Sequence, residues 1–524
     1  MTAERGPAVL DGITLQILWN RIQAIAQEMG TTLHRTAFSA MVRESHDYSC
    51  VVMDAEGRGL GQSEQSIPSF ATLLPRAAKR FLREIDAAVL APGDVLISND
   101  PWLGSTHLPD LTMIMPCFLD GRLVAFVGAI VHLPDVGGRP WSSDAREVYE
   151  EGIRLPLVYY TRGGEPNREV LDLFLANVRT PELVEGDLRA QHAALLLGER
   201  AVLGFLREQG LDGLEAVSAE IRSRADTAMA AAIGQVREGV YESRVSIEGL
   251  EGEEIPIVVS VTFGGGRVQV DFTGTAGQVD SGLNCVIAYT EAYSAYALKC
   301  LLDPHTPNND GCYERFDVEA PEGTVLNPRF PAAVAARHFA GHALVVAIFR
   351  ALVEATPDRV VADGCVPPWL LQFNGARPDG TAYALPLAVA GGQGAGVRFA
   401  GLATTTFPTN SSNIPIEVIE ASTPLRFVEK CLVPESAGRG REPGGAGQRV
   451  SVRNESSSTA TVSILADQLA RGPAGILGGG DGAPGQVVID GSPSTRGKQR
   501  VQLPPGATLT VVLPGGGACG PATN

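Results

Sequence analysis

Two copies of the tetrapeptide His-Leu-Pro-Asp lie close together in the first third of this 524-residue chain. The first copy runs from His107 to Asp110 and the second from His132 to Asp135. Imidazole nitrogens and carboxylate oxygens are ligands that zinc and other transition metals accept. The two copies could therefore hold a metal ion if the fold brought them together.

The segment between the copies predicts how they would meet. Two apolar, β-rich runs, 111–119 and 122–131, are separated by Asp120-Gly121. Asp-Gly between such runs is a strong hairpin signal, because both central residues of a type I′ turn need a positive φ. A two-residue loop places His132 across from Pro109, within the first tetrapeptide. Two imidazoles and a carboxylate then meet at the open end of one rigid ribbon, which suits a metal.

The same residues have a second interpretation. A register slip of one residue turns side chains to the other face of a strand, and His and Asp residues near strand ends are commonly only solvated. The chain has neither a CxxC pair nor an HExxH motif that would favour a metal by spacing alone. From the pattern, a metal site and a solvated strand end both remain open.

Composition and charge restrict the class of protein. A domain size of about 150 residues predicts roughly three units. The net charge is −17 and no lysine-arginine cluster stands out, so we expect neither a nucleic acid nor a membrane partner. The N-terminus lacks an apolar signal core, and no run approaches the roughly 18 apolar residues of a membrane helix. Eight scattered cysteines indicate reduced thiols, and we expect a cytoplasmic protein.

Hydrophobic periodicity predicts an α+β fold in three mixed units. Residues 1–239 form a unit of helices and a β-hairpin that carries the candidate metal site, 240–435 a central α+β unit, and 436–524 a glycine-rich β unit. Apolar residues recur at three- and four-residue steps over 13–35, which predicts an amphipathic helix. The apolar run 332–355 predicts a buried helix in the central unit.

Three further segments contain residues of the kinds found in metal-binding or nucleotide-binding sites. Residues 43–49 are charged and polar and open onto an apolar strand, so they could supply ligands or simply cap the strand end. His338 and His342 have a spacing that can bind metal, but such a pair more often belongs to one packed face. The segment 491–499 has five residues between its glycines where a P-loop has four, and it lacks the Ser or Thr that a P-loop requires. It is not a nucleotide site.

Seven segments together resemble the B subunit of ATP-dependent hydantoinases, a family that includes the corresponding parts of 5-oxoprolinase and of acetone and acetophenone carboxylases. One segment alone would be weak evidence, but seven in order along the chain indicate the family. They are RESHDYSC at 43–50, NDPWLGSTHLPD at 99–110, HLPDVGG at 132–138, DFTGT at 271–275, NDG at 309–311, PEGTVLNP at 321–328 and SAGRGREPGGAG at 436–447.

The resemblance implies one subunit of a two-component enzyme. In this family the A-type partner carries the phosphorylating site for ATP and Mg, and the B-type subunit carries a metal centre, which agrees with the missing nucleotide motif. By likeness, the metal ligands here are His107, Asp110 and His132, with Asp47 as the fourth. Two histidines and two aspartates suit Zn, Mn or Fe alike.

The resemblance further implies ATP-dependent hydrolysis of a small cyclic amide such as a hydantoin, 5-oxoproline or a lactam. Phosphorylation by the partner would supply a good leaving group, and the metal would polarise a carbonyl or lower the pKa of a bound water. Asp135 is a candidate general base, or a group that orients His132, or a turn residue ahead of two glycines. Two other functions stay open: ATP-dependent carboxylation of a ketone, and a non-catalytic scaffold for the A-type subunit.

This chain departs from the family pattern at two positions that bear on the substrate. Leu133 stands where relatives often have a second histidine, and Ser66 stands where they often have a histidine before Ile-Pro. We therefore expect a retained metal site with altered substrate contacts.

Overall fold

The computed structural model describes residues 11–139 and 141–522. Within these ranges the strands form four sheets, which alternate with helices along the chain. The predicted α+β class is therefore confirmed.

The first sheet contains the hairpin and has seven strands. They are β1 (Tyr48–Asp54), β2 (Gly59–Gln62), β3 (Val95–Ser98), β4 (Asp110–Leu119), β5 (Arg122–His132), β6 (Val158–Arg162) and β7 (Glu165–Pro166). Their spatial order is β2-β1-β5-β4-β3-β6-β7. Strands β1, β4 and β5 are buried along most of their lengths, so both faces of the sheet are covered.

Among the described residues, seven α-helices belong to this part of the chain. They are α1 (Gly12–Thr36), α2 (Ala40–Arg43), α3 (Pro68–Glu84), α4 (Val148–Glu151), α5 (Arg168–Leu175), α6 (Pro181–Gln209) and α7 (Glu215–Ile233). The helix predicted over 13–35 is confirmed as α1, which begins where the Asp11 side chain accepts hydrogen bonds from the backbone N–H groups of Ile13 and Thr14. Helix α6 is hydrogen-bonded to both strands of the hairpin, since buried Gln191 donates to carbonyl oxygens of β4 and β5.

The hairpin forms as predicted, but its register differs by one residue. Asp120 and Gly121 have φ values of 50° and 80°, as the predicted turn requires. A bulge leaves Val124 without a partner, so that Asp110, and not Pro109, lies directly opposite His132. The turn residues could not reveal this, because a bulge inserts one residue without changing the loop. In the observed register, the Asp110 and His132 side chains lie on one face of the sheet.

The second sheet has four strands in the order β11-β10-β9-β8. They are β8 (Gly239–Glu248), β9 (Glu254–Gly264), β10 (Arg267–Asp271) and β11 (Phe316–Glu319). Strands β8 and β9 alternate buried and exposed residues, as expected when one face is covered. The covering helices are α8 (Ile287–Leu302) and α9 (His338–Ala351).

The helix predicted over 332–355 is shorter than expected. It begins only at His338, and the alanine-rich segment 332–337 before it is not helical. The segment's N–H groups bond elsewhere: those of Val334 and Ala335 donate to the Glu151 carboxylate, and that of Ala336 donates to the Gly282 carbonyl oxygen. Tertiary hydrogen bonds thus outweigh helix propensity at this point.

Two further sheets complete the described chain. Their strands are β12 (Trp369–Ala376), β13 (Ala382–Val389), β14 (Leu425–Val433), β15 (Gly447–Asn454), β16 (Ala460–Leu465), β17 (Gln486–Ile489), β18 (Ser492–Ser494), β19 (Lys498–Leu503) and β20 (Thr508–Val512), and α10 (Ile416–Ser422) lies before β14. The third sheet has the order β13-β12-β16-β19, and the fourth sheet has the order β14-β15-β20-β17-β18.

Both of these sheets combine strands from either side of position 435. The predicted division at that position therefore does not coincide with a break between sheets, and the three-unit organisation stays a prediction. Among the residues described, we find no helix long and apolar enough to cross a membrane.

Two glycines of helix α6 lie in different environments: Gly198 packs against α1, and Gly204 has no neighbour within 4 Å of the place that a Cβ would occupy. A Cβ at Gly198 would lie 2.5 Å from Sδ of Met29 in α1, whereas nothing lies within 4 Å of a Cβ at Gly204. We expect Gly204→Ala to raise the free energy of unfolding by about 0.5–1 kcal/mol through helix propensity. Gly198→Ala should lower it by about 1–3 kcal/mol, because Met29 is fully buried. Urea unfolding followed by circular dichroism measures both, and changes of equal sign would contradict this packing.

Candidate metal centre

Three side chains meet at the open end of the hairpin. His107 precedes β4, Asp110 begins β4, and His132 ends β5. One ligand atom of each lies within 4.8 Å of the others, and all three residues are buried. Asp110 Oδ1 is 3.0 Å from His107 Nε2 and 3.3 Å from His132 Nδ1. The structure therefore brings together three of the residues that the sequence proposed as metal ligands.

Asp110 is a fully buried carboxylate that remains ionised. Its Oδ2 accepts hydrogen bonds from Thr106 Oγ1 at 2.7 Å and from Arg337 Nη2 at 2.5 Å. Burial acts to raise the pKa of Asp110, but Arg337 and His107 outweigh it and hold the pKa well below its usual range. One oxygen is thus used by the arginine, and the other faces the two imidazoles.

His107 is held as a neutral imidazole. Its Nδ1 lies 3.0 Å from the Ala335 carbonyl oxygen, which only accepts, so Nδ1 carries the proton of this hydrogen bond. Burial and then the charge of Arg337 lower the pKa of His107 to about 3, so Nε2 is unprotonated near neutral pH. This lone pair faces the ionised oxygen of Asp110. Two acceptors in this position repel each other unless a proton or a cation lies between them.

His132 can supply at most one proton to this arrangement. Its Nδ1 lies 3.3 Å from both Asp110 Oδ1 and His107 Nε2. If this nitrogen carries hydrogen, one weak donor serves two acceptors; if it does not, three acceptors converge. Two imidazole nitrogens and one carboxylate oxygen form a donor set that fits a divalent transition metal.

Asp47 lies at the edge of this cluster. Its Oδ2 is 3.9 Å from His132 Nδ1, and its carbonyl oxygen accepts the backbone N–H of His132 at 3.0 Å. Burial raises the pKa of Asp47 to about 6, although the nearby His132 opposes the shift. The side chain is placed beside the cluster by β1, while its role as the fourth ligand stays a prediction.

Asp135 is buried and engaged away from the cluster. Its carboxylate accepts hydrogen bonds from the backbone N–H of Gly137 at 3.1 Å, from the backbone N–H of Arg179, and from Arg179 Nη1 at 2.7 Å. It does not line the cavity beside His107 and His132. These contacts support the turn interpretation, and its role as general base stays a prediction.

Sequence reasoning missed two tyrosines that line a cavity of about 70 Å³ beside the cluster, and it did not place His338 and His342 there. Tyr289 and Tyr293 on α8 each place a hydroxyl 3.1 Å from Nε2 of His342. His338 lines the same cavity. The spacing of His338 and His342 was the available signal, but nothing in the sequence linked α9 with the hairpin.

Glu151 of α4 binds the segment before α9. One carboxylate oxygen accepts the N–H groups of Val334 and Ala335, both at 2.6 Å. The same Ala335 accepts the hydrogen bond of His107. Burial raises the pKa of Glu151 to about 8, although these two N–H groups oppose the shift. The side chain is therefore largely protonated near neutral pH.

The family model for hydantoinase B/oxoprolinase matches residues 11–522. The chain belongs to this family. Among curated relatives, the 5-oxoprolinase PfmaA of Pestalotiopsis fici is 29% identical over 98% of this chain, which spans 41% of that protein. The caprolactamase subunit beta of Pseudomonas jessenii is 29% identical over 84% of this chain and 78% of its own length.

Two solved structures share the fold. The ATP-dependent caprolactamase of Pseudomonas jessenii superposes with a TM-score of 0.90 at 26% identity, over 98% of this chain and 91% of the other. A nucleotide-free acetone carboxylase superposes with a TM-score of 0.86 at 18% identity, over 96% and 76%. The second likeness shows the fold alone.

The raised pKa of Glu151 predicts a pH-dependent stability. Because its pKa rises from 4.5 in the unfolded chain to about 8, the folded chain holds a proton that the unfolded chain releases between these values. Stability should therefore fall as the pH rises through this window. We expect Glu151→Gln, which cannot ionise, to show a smaller fall. Thermal unfolding of both proteins from pH 5 to pH 8 measures the difference, and parallel curves would contradict a protonated Glu151.

Proposed function

We propose that this chain is the metal-binding, B-type subunit of an enzyme that opens a cyclic amide in an ATP-dependent reaction. The observation that carries the proposal is the convergence of the His107, Asp110 and His132 ligand atoms. Family membership and the likeness to an ATP-dependent caprolactamase support the reaction class. A cyclic amide is a weak electrophile, so activation by phosphorylation gives such an enzyme a reason to use ATP.

An A-type partner would supply the phosphorylating site. A relative carries the designation subunit beta, and this chain spans only 41% of a 5-oxoprolinase, which leaves room for a second component in that longer polypeptide. In this chain the glycine-containing segment 491–499 departs from P-loop spacing. We infer that ATP and Mg bind to the partner.

His107, Asp110 and His132 would hold a divalent metal, with Asp47 as the fourth ligand. The donor set admits Zn, Mn or Fe. When bound, such an ion acts as a Lewis acid toward a carbonyl group and lowers the pKa of water. The contact of Arg337 with Asp110 fixes which carboxylate oxygen faces the imidazoles.

The two tyrosines beside the cluster would bind the amide carbonyl oxygen. Burial raises the pKa of Tyr293 to about 12 and also raises the pKa of Tyr289 well above its usual value, so both hydroxyls keep their protons. His342 is neutral because burial lowers its pKa to about 3. Its Nε2 has one hydrogen-bonding position, so it forms a well-aligned hydrogen bond with only one of the two hydroxyls. The two hydroxyls also hydrogen-bond to each other, so a substrate carbonyl oxygen would accept from the hydroxyl that gives up this mutual bond.

Removal of one proposed ligand tests the assignment. We expect His107→Ala to lower the metal content of the dialysed protein at least about tenfold and to abolish lactam-dependent ADP release in the presence of the A-type partner. His305→Ala is the matched control, because His305 is exposed and lies in a loop. Elemental analysis and an ADP assay provide the two measurements.

Each alternative function has its own outcome in this experiment. Bound metal and lactam-dependent ADP release in His107→Ala would show that the assignment is wrong. ADP release only with a ketone and bicarbonate would indicate carboxylation. Wild-type activity of the complex without metal would indicate a scaffold.

Asp47 and Asp135 should respond differently to the same substitution. We expect Asp47→Asn to weaken metal binding at least about tenfold with little change in the unfolding temperature. Asp135→Asn should lower the unfolding temperature and leave metal binding within about twofold, because its partners are Arg179 and a turn. Chelator competition and thermal unfolding make the comparison. A stable Asp135→Asn protein with kcat reduced by about 10²–10⁴ would instead identify Asp135 as the general base.

A further inference from the structure

A polar groove lies beyond Trp141, which also lines the cavity of the metal cluster. The groove consists of two adjoining cavities of about 80 and 310 Å³, and both are lined by Ser142, Ser463 and Arg500. The Trp141 ring stands edge-on to His132, with centroids 4.9 Å apart. One indole ring is therefore the wall between the groove and the cluster.

One face of the third sheet forms the floor of the groove. Gln372 of β12 pairs with Ser463 of β16, which pairs with Arg500 of β19, so these side chains form one row across three strands. The intervening residues, such as Leu371 and Ile464, point into the core. Alternation along the strands thus places a polar row opposite the segment that carries Trp141.

Several polar groups of the groove lack partners. Gln372 is 3% exposed and Trp141 is 5% exposed, yet Gln372 Oε1 and Trp141 Nε1 form no hydrogen bond within residues 11–139 and 141–522. In the same ranges Arg500 forms neither an ion pair nor a side-chain hydrogen bond, whereas Arg139 and Arg179 each pair with a carboxylate. Buried polar groups normally have partners, so the unpartnered Gln372 and Trp141 atoms indicate a polar ligand, which the exposed Arg500 could also contact.

The charge of the lining indicates an anion. Five cationic and three acidic residues line the groove, in a chain whose net charge is −17. The larger cleft of about 670 Å³ between α3 and α8 serves as a contrast, since its lining has four cationic and five acidic residues. Four of the five cations in the groove pair with carboxylates, so among the described residues of its lining Arg500 is the cation left to bind an anion.

We propose that the groove binds a phosphoryl group. Phosphate oxygens accept from guanidinium and indole N–H groups, and the hydroxyl of a partly protonated phosphate donates to an acceptor such as Gln372 Oε1. The inference rests on the proposed function, because that reaction produces both a phosphorylated cyclic amide and inorganic phosphate. Either would bring the same chemistry to this groove, next to the wall of the metal cluster.

The test uses inorganic phosphate as the probe and calorimetric titration of the full chain as the measurement. We expect Arg500→Gln to raise the Kd for phosphate about tenfold or more, because a charge-assisted hydrogen bond is lost. Arg449→Gln is the matched control, since it removes one exposed positive charge from the fourth sheet. Arg500 is itself exposed, so its replacement should leave the fold intact.

Three outcomes would overturn the inference. They are no phosphate binding at millimolar concentration, equal weakening in both arginine variants, and binding that is lost in His107→Ala but retained in Arg500→Gln. The last outcome would place the phosphate at the metal cluster and leave the proposed function standing. Weakening specific to Arg500→Gln without lactam-dependent ADP release would instead support the groove and contradict the proposed function.

The complex distinguishes the two sources of the phosphoryl group. If product phosphate occupies the groove, added phosphate should inhibit the wild-type complex more strongly than the Arg500→Gln complex. If the phosphorylated amide occupies it, Arg500→Gln should lower kcat/KM for the lactam. Either result supports the inference, and a variant identical to the wild type in both respects contradicts it.

Discussion

The buried carboxylate of Asp110 is the constraint on which the rest of the site depends. Removing a carboxylate from water costs several kcal/mol unless charges and hydrogen bonds replace the lost solvation. Here Thr106 and Arg337 bind one oxygen, and two imidazole nitrogens lie beside the other. Since Arg337 comes from a segment more than 200 residues away in sequence, this one charge holds the hairpin to the start of α9.

The sequence predicted the local part of this arrangement well. Asp120-Gly121 predicted the hairpin, and the repeated tetrapeptide predicted which side chains would meet at its open end. The one-residue error in register came from the bulge at Val124, which lies in an apolar run where each residue is an acceptable strand residue. Register within such a run is decided by side-chain packing against neighbouring strands and helices, and sequence alternation does not reveal it.

The non-local part could not be predicted in the same way. Alanines 332, 333, 335 and 336 favour a helix, yet the Glu151 carboxylate accepts the N–H groups of Val334 and Ala335, and the Gly282 carbonyl oxygen accepts that of Ala336. Because 332–337 is held in this non-helical form, the Ala335 carbonyl oxygen reaches His107 and the Arg337 guanidinium reaches Asp110. His338 and His342 were visible as a pair, but their place beside the hairpin depends on these tertiary bonds. The sequence likewise contains no sign that Trp141 and the polar row of the third sheet lie beside the cluster, because their contact is made in the tertiary structure.

The cluster is held by groups from a distant segment, and this has a thermodynamic consequence. In the unfolded chain, Ala335 cannot fix the tautomer of His107, and Arg337 cannot fix the carboxylate of Asp110, so a preformed donor set exists only in the folded state. An ion that binds only the folded state stabilises it in proportion to the logarithm of its concentration above Kd. Metal binding at this cluster would therefore be coupled to the docking of α9 on the hairpin. The Gln372–Ser463–Arg500 row belongs to the third sheet, whose strand β12 also contributes Leu370 to the cavity of the cluster. An anion bound to the row would therefore be linked to the cluster through β12 as well as through Trp141.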